Sequence, residues 1–333
     1  RCRFLSRSMQ FSRGTETHAM DGSLFETPDN PVPGGAVSGM LTMPDGKRIR
    51  YARFPATGRP LLGTVVIVPG RNDYIEKYFE TIRDLGARGF GAAIFDLRGQ
   101  GGSDRLLHDP NRGFIADFQD YADDLGPFFD DVVLPDCRGP YYLLAHSTGA
   151  LVSLLATRHL YNRVERMVLL APLLGFPGQS YTMRKAAPIS SFLHAIGLGS
   201  IYVHGGKPNG VPPFAGNPLT SDPQRYKRNA EIATTHPALC IGGVTATWVR
   251  AAGEAITRVN DPEFLAGIRI PMLLVGAGDD TVVSTPAIED YARKLRTGSL
   301  VVVDGARHEL LQEADVFREQ VLAAFDAFIP GSE

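Results

Sequence analysis

Cysteine is scarce in this chain, whose 333 residues contain only Cys2, Cys137 and Cys240. An odd number of cysteines with no CxxC spacing argues against both a disulfide framework and a structural zinc site. The cysteine usage instead fits a reducing compartment. We therefore expect a cytoplasmic protein without a metal.

Long hydrophobic runs and an excess of one charge are also missing. The longest nearly apolar run, MVLLAPLLGF at residues 167–176, is far shorter than the ~20 residues that a membrane-spanning helix needs. Lysine plus arginine (34) nearly balance aspartate plus glutamate (36), and a net charge of −2 creates no field that would attract a phosphate backbone. We expect neither a transmembrane segment nor a nucleic-acid partner.

The N-terminal stretch RCRFLSRSMQFSRGTETHAM is basic at its start but lacks the apolar core of a secretory signal. We predict that residues 1–30 form a leader or a poorly ordered N-terminal segment, because segments this polar rarely pack by themselves. Residues 36–54 follow it. Their sequence, AVSGMLTMPDGKRIRYARF, predicts two strands around a turn at an antiparallel edge.

From residue 63 onward, short apolar runs alternate with segments in which apolar residues recur at helical spacing. This alternation predicts an α/β fold with a mostly parallel central sheet flanked by helices. Nearly continuous apolar runs are expected for strands that are buried on both faces. The predicted strands are TVVIVPG (64–70), GAAIFD (91–96), YYLLAH (141–146), MVLLAP (167–172), MLLVGAG (272–278) and LVVVDG (300–305).

The alternation breaks between residues 173 and 266. A structureless loop of that length would be unusual in a compact domain, so we predict a mostly helical cap, or lid, that lies over the carboxyl ends of the strands. The predicted core then consists of residues 31–172 and 267–333. The long internal insertion is large enough to cover a binding site.

A serine follows the third of these runs, in the sequence AHSTG at residues 145–149. A sharp turn between a buried strand and a helix pushes its central side chain outward, which is how a nucleophile elbow, GxSxG, exposes its serine. Ala145 replaces the first glycine of that motif. The five residues alone are equally consistent with a serine that caps the next helix.

Two later loops contain the partners that a serine nucleophile needs. A neutral histidine must take the hydroxyl proton, and a carboxylate must orient that histidine. GAGDDTVVS follows one predicted strand and ARHELLQE follows the next, so the acid is Asp280 or Asp279 and the base is His308. We favour Asp280, because Asp279 can form the turn.

Backbone N–H groups are expected to stabilise the oxyanion. The usual donors are the amide after the nucleophile and one from the loop after the first central strand, here Thr148 and Arg71. FDLRGQGGSDR at residues 95–105 lacks the spacing of a dinucleotide-binding loop and the lysine of a Walker loop. We therefore predict no nucleotide site.

From residue 36 to 329 the chain resembles the α/β-hydrolase superfamily, specifically its monoacylglycerol lipase and bacterial lysophospholipase branch. The segments that carry the resemblance are AHSTG, PGRNDYIEKY, FDLRGQGGSDRLLHDPNRGFI, NPLTSDPQRYKRN and GARHELLQE. By position, the resemblance implies Ser147 as nucleophile, Asp280 as acid and His308 as base, with Arg71 and Thr148 as oxyanion donors.

The resemblance also implies a serine esterase that needs no cofactor and acts on esters of single-chain lipids. The side chains of Ile189, Phe192, Leu193 and Trp248 would then line an acyl pocket, or alternatively pack within the cap. A cap of this kind could contact a membrane surface. Acyl transfer by the same residues, and a non-catalytic binding protein on the same fold, are the alternative functions.

Overall fold

The computed structural model describes residues 21–177, 190, 193, 196–203 and 210–329. These residues form an 8-stranded sheet in the order β1-β2-β4-β3-β5-β6-β7-β8, flanked by helices. The strands are β1 Val37–Thr42, β2 Arg48–Phe54, β3 Gly63–Val68, β4 Phe90–Phe95, β5 Tyr141–His146, β6 Arg166–Leu170, β7 Met272–Ala277 and β8 Gly298–Val303.

The helices connect these strands and cover the sheet. The α-helices of the described residues are α1 Phe79–Ala87, α2 Phe118–Phe128, α3 Leu134–Asp136, α4 Thr148–Leu155, α5 Thr157–Leu160, α6 Pro223–Thr235, α7 Ala246–Val259, α8 Pro262–Gly267, α9 Thr285–Lys294 and α10 Asp315–Phe328. Short 3₁₀ turns lie at Ile75–Tyr78, Pro237–Leu239 and Leu310–Gln312, and a π-turn at Phe129–Val133 joins α2 to α3.

The predicted fold is confirmed. β3 is buried along its whole length and pairs in parallel with β4 and β5, as its continuous apolar run requires. β1 pairs with β2, and β2 with β4, in antiparallel register, so the N-terminal hairpin forms one edge of the sheet. In the described part of the chain, no helix is long and apolar enough to cross a bilayer.

Part of the predicted leader, residues 21–30, packs against the turn at Ile75–Tyr78 and against the end of α6. Asn30 is 1% exposed and donates from its side-chain amide to the backbone oxygen of Glu76 at 2.8 Å. Phe25 packs against the ring of His236 at a centroid distance of 4.3 Å. Residues 21–30 are therefore held by buried contacts, while residues 1–20 lie outside the described residues.

The predicted cap also shares contacts with the core. α7 lies inside the range 173–266, but its apolar face packs against α4 and α2, and its Ala252 and Val259 are fully buried. The described part of this range is helical in α6, α7 and α8. The division of the chain into core and cap stays a prediction.

A buried ion cluster fastens β2 beneath the loops that follow β3 and β4. The Arg50 guanidinium donates to Glu76 Oε1 and to Asp96 Oδ2, each at 2.7 Å, and all three side chains are 0% exposed. Burial alone would lower the pKa of Arg50, but the charges of Asp96 and Glu76 raise it above its ordinary value. Asp96 also accepts from the N–H of Ile75 at 3.0 Å, so the cluster fixes the start of the turn that precedes α1.

Candidate active site

Ser147 lies at the sharp turn between β5 and α4. Its backbone has φ 51° and ψ −113°, a conformation that is strained for a non-glycine residue and that is typical of functional sites. Its N–H donates to the oxygen of Leu170 at 2.9 Å, and its own oxygen accepts from Leu173, which holds the turn from both sides. The turn places the Ser147 side chain at the carboxyl edge of the sheet.

Glycine is required two residues after Ser147 because the helix starts against the neighbouring strand. A Cβ atom at Gly149 would lie 2.3 Å from the oxygen of Val68 and 2.4 Å from that of Pro69. No side chain fits within such distances. Ala145, in contrast, sits in β5 between β3 and β6 with 1% exposure, and its methyl group is accommodated there.

The structure brings Ser147, His308 and Asp280 together in one hydrogen-bonded row. His308 Nε2 lies 3.0 Å from Ser147 Oγ, and His308 Nδ1 lies 2.8 Å from Asp280 Oδ2. A proton on Nδ1 that is donated to the carboxylate leaves Nε2 free to accept the serine proton. This arrangement can remove the proton from the Ser147 hydroxyl and stabilise the imidazolium that results.

Asp280 is held as a carboxylate. Its second oxygen accepts from the N–H groups of Val282 and Val283 at 2.7 and 2.9 Å. Burial would raise the pKa of Asp280, but these hydrogen bonds and the one with His308 lower it below its ordinary value. The charge of Asp280 therefore persists as the pH falls to the ordinary aspartate pKa and is lost only below it. Asp279 is exposed and donates only its backbone N–H, to the oxygen of Ala306 at 2.9 Å.

We expect the two adjacent aspartates to differ sharply when each is replaced by asparagine. Asp280→Asn should lower kcat by ~10⁴-fold, because an amide cannot hold the histidine in the required tautomer or stabilise its charge. Asp279→Asn is the matched control and should retain kcat within about threefold, since surface substitutions usually have small effects. Initial rates of ester hydrolysis measure both. Equal losses in the two variants would contradict this assignment of the acid.

Arg71 and Thr148 offer backbone N–H groups near the serine. Arg71 follows β3 and Gly70, and Thr148 is the first residue of α4. Neither N–H donates a hydrogen bond to another residue that the structure describes. The first N–H groups of a helix have no partner within the helix, so the Thr148 donor is available to a ligand. Both groups remain predicted oxyanion donors.

Behind Ser147 lies a polar network that the sequence analysis did not predict. Asp73, 3% exposed, accepts from the N–H of Gly70 and from the Tyr78 hydroxyl, each at 2.9 Å, and from Lys77 Nζ at 2.5 Å. Burial would raise the pKa of Asp73, but Lys77 and His146 hold it far below its ordinary value. The Asp73 carboxylate thereby fixes the loop that carries the Arg71 N–H.

His146 connects this network to the loop that carries His308. Its Nδ1 lies 3.3 Å from Asp73 Oδ2 and its Nε2 lies 3.2 Å from the backbone oxygen of His308. Burial lowers the pKa of His146, but the carboxylate of Asp73 outweighs burial and raises it above its ordinary value. With an acceptor on each side, the doubly protonated ring satisfies both contacts. The only sequence signal was its position next to Ser147.

The four side chains predicted to bind substrate do not form one described surface. Ile189 and Phe192 lie outside the described residues, and Leu193 is half-buried. Trp248 is 4% exposed, and its ring packs edge-on against Phe118 at 5.4 Å. The burial of Trp248 agrees with the alternative that this side chain packs in the interior and does not line an acyl pocket.

A cavity of about 450 Å³ instead opens beside the two loops of the site. Its wall includes Asn72, which follows Arg71, and Glu309, which follows His308. The lining also includes Tyr226 and Ala230 of α6. Cavities of this size are typical of small-molecule sites. In the described residues, no group of three or more histidine, cysteine, aspartate or glutamate side chains could hold a metal ion.

Comparisons with known proteins agree with this geometry. The family model described as serine aminopeptidase, S33, matches residues 59–315. The chain is 35% identical over 302 residues to lysophospholipase L2 of Escherichia coli (strain K12), covering 84% of this chain and 83% of that protein.

Two solved structures share the fold. A thermostable carboxyl esterase from Bacillus coagulans has a TM-score of 0.71 at 17% identity, over 89% of this chain and 98% of its own. A soluble variant of monoglyceride lipase from Saccharomyces cerevisiae has a TM-score of 0.69 at 17% identity, over 88% and 94% of the two chains. With the sheet order, the elbow and these matches in place, the chain belongs to the α/β-hydrolases of the serine aminopeptidase S33 family.

Proposed function

We propose that this protein is a serine esterase that hydrolyses single-chain lipid esters of the lysophospholipid and monoacylglycerol kind. The observation that carries the proposal is the row of hydrogen bonds from Ser147 through His308 to Asp280. The 35% identity to a lysophospholipase supports the substrate class. A complete row of this kind argues against a protein that only binds a ligand.

The reaction uses three side chains and two backbone N–H groups of the protein. Ser147 Oγ attacks the ester carbonyl while its proton passes to His308 Nε2, and the N–H groups of Arg71 and Thr148 stabilise the oxyanion. The alcohol leaves with the proton from His308, which leaves an acyl-enzyme. Water then gives a proton to His308 and attacks the acyl group, which releases the carboxylic acid and restores Ser147. No cofactor takes part in these steps.

The cavity beside α6 is the proposed place for the acyl chain. Its lining combines apolar side chains with the polar ends of Lys77 and Glu309 near the site. Burying the chain provides roughly 0.8 kcal/mol for each methylene group that is removed from water. Longer acyl chains should therefore bind more tightly until the cavity is filled.

Exposed apolar side chains in the predicted cap support a further part of the proposal, that the protein is cytoplasmic and contacts the surface of a membrane. Many of the large apolar side chains that are exposed in the described residues lie between residues 196 and 214. They are Ile196, Leu198, Ile201, Val211 and Phe214, each 36–51% exposed. Exposed apolar side chains of this kind support the proposal that this region contacts a bilayer that supplies single-chain lipids.

A substrate panel tests this function. Purified protein is assayed with a lysophospholipid, a monoacylglycerol of the same acyl chain, a short-chain ester and an aminoacyl amide, with and without phospholipid vesicles. We expect the two lipid esters to be hydrolysed with the highest kcat/KM, and the protein to sediment with vesicles. Cleavage of the aminoacyl amide in preference to every ester would contradict the proposal.

A further inference from the structure

The side chain of Arg71 lies in an unusual environment next to the site. Its guanidinium stacks over the ring of Trp248, with Cζ 5.7 Å from the ring centroid, and Nη2 donates to the oxygen of Gly242. A Cβ atom at Gly113 would lie 2.6 Å from Nη2, so glycine is needed there to admit the guanidinium. These contacts hold the charged group in a fixed position.

This guanidinium has no carboxylate partner among the described residues. Nε is enclosed and makes no hydrogen bond, and no described residue accepts from Nη1, although the side chain keeps partial exposure. Burial lowers the pKa of Arg71 to about 10, and the titratable groups that partly offset this are the hydroxyls of Tyr121 and Tyr202. Arg71 therefore remains a cation at neutral pH with unused donors.

The first half of the neighbouring insertion cannot supply a carboxylate either. Residues 167–221 contain no aspartate or glutamate, whereas they include Arg184, Lys185 and Lys207. This half of the predicted cap is therefore cationic. A negative group that neutralises Arg71 is more readily provided by a ligand than by this part of the chain.

Other buried arginines of the protein show what Arg71 lacks. Arg98 donates to Asp124 at 2.5 Å, and Arg318 donates to Asp84 at 2.5 Å. Withdrawing a charge from water without an opposite charge beside it is costly, and a bound anion would offset that cost for Arg71. Guanidinium groups form charge-assisted hydrogen bonds with phosphate, and Nη1 of Arg71 has unpaired N–H groups for such a contact.

We infer that the Arg71 guanidinium binds the phosphate group in the headgroup of a single-chain phospholipid substrate. The inference rests on the proposed function, because the backbone N–H of the same residue would hold the ester oxygen. In a lysophospholipid, a glycerol unit of only a few bonds separates the scissile ester from the phosphate. One residue can thus contact both groups, and the site would favour phosphate-bearing esters over neutral monoacylglycerols.

The first test compares two substrates with the same acyl chain, a lysophospholipid and a monoacylglycerol. Arg71→Met keeps the backbone N–H and removes the charge, so the ratio of the two kcat/KM values should fall by about 10- to 100-fold. Arg71→Lys should restore part of the ratio. Arg105→Met, which removes a half-buried arginine outside the site, should leave the ratio unchanged. An unchanged ratio in Arg71→Met would overturn the inference.

The second test measures binding without turnover. An ether-linked alkyl glycerophosphodiester should bind the wild-type protein at least about tenfold more tightly than the matching alkylglycerol, and Arg71→Met should bind both alike. Equal binding of the two ethers by the wild-type protein, or competition by inorganic phosphate as strong as that of the ether, would overturn the headgroup assignment. Tight phosphodiester binding without ester hydrolysis would instead contradict the proposed function and support the Arg71 site.

Discussion

Replacement of Ser147 by alanine is expected to lower kcat for ester hydrolysis by ~10⁴- to 10⁶-fold while the protein remains folded. Without Oγ no acyl-enzyme can form, and only the oxyanion donors and substrate binding still assist attack by water. Alanine removes one atom from a side chain that is 7% exposed, so the packing around the elbow is preserved. Initial rates and circular dichroism measure the two effects.

Ser153→Ala provides the matched control for this prediction. Ser153 lies in α4 and is fully buried, and its hydroxyl donates only to the oxygen of Gly149 at 2.7 Å. This variant should retain kcat within about threefold, because surrounding structure supplies most of the helix stability. A Ser147→Ala protein that hydrolyses esters as fast as Ser153→Ala would contradict the proposed nucleophile.

Replacement of Arg50 by methionine is expected to lower the free energy of unfolding by about 3–5 kcal/mol. Methionine fills much of the space but leaves the carboxylates of Glu76 and Asp96 buried without their cation. Burial already raises the pKa of Glu76, and the lost charge of Arg50 would raise it further. The loops that begin at Ile75 and Gly102 are held by Asp96, so they should loosen as well. Denaturant unfolding followed by fluorescence measures the loss.

Arg48→Met tests whether this effect comes from burial. Arg48 lies two residues earlier in β2 and pairs with Asp104 at 2.9 Å, but their side chains are 40% and 29% exposed. Loss of such an exposed pair should cost no more than about 1 kcal/mol. If the two methionine variants were equally stable, the buried cluster would not stabilise the fold as described.

Much of the fold could be predicted because the inner strands of the parallel sheet are buried on both faces. Their apolar runs are therefore continuous in the sequence, and the sequence predicts β3 and β7 to within a few residues. The apolar run of β8 also marks a strand, but this strand lies at the edge of the sheet, and its Val301 and Val302 are each 37% exposed. The assignment of residues 173–266 to a cap rested on broken periodicity. The sequence could not show that α7 packs on α4. An amphipathic helix has the same spacing of apolar residues whether it packs on the core or within a cap.

The three residues of the site could be predicted because their order along the chain is typical of this kind of fold. The sequence order of Ser147, Asp280 and His308 indicated three loops at one edge of the sheet, and the structure brings these loops together. The sequence did not predict Asp73 or the role of His146, since the two residues are 73 positions apart and pair only in the folded protein. The burial of Arg50 could not be predicted either. An arginine in a strand of alternating polar and apolar residues is expected to face solvent.

The most direct test of the proposed function is to label the nucleophilic side chain covalently. The protein is treated with a fluorophosphonate that reacts with activated serines, and the modified peptide is identified by mass spectrometry. We expect one adduct, on Ser147, which forms far more slowly when His308 is replaced by glutamine. An adduct on another residue, or labelling of Ser147 at the same rate without His308, would contradict the proton relay on which the proposed function depends.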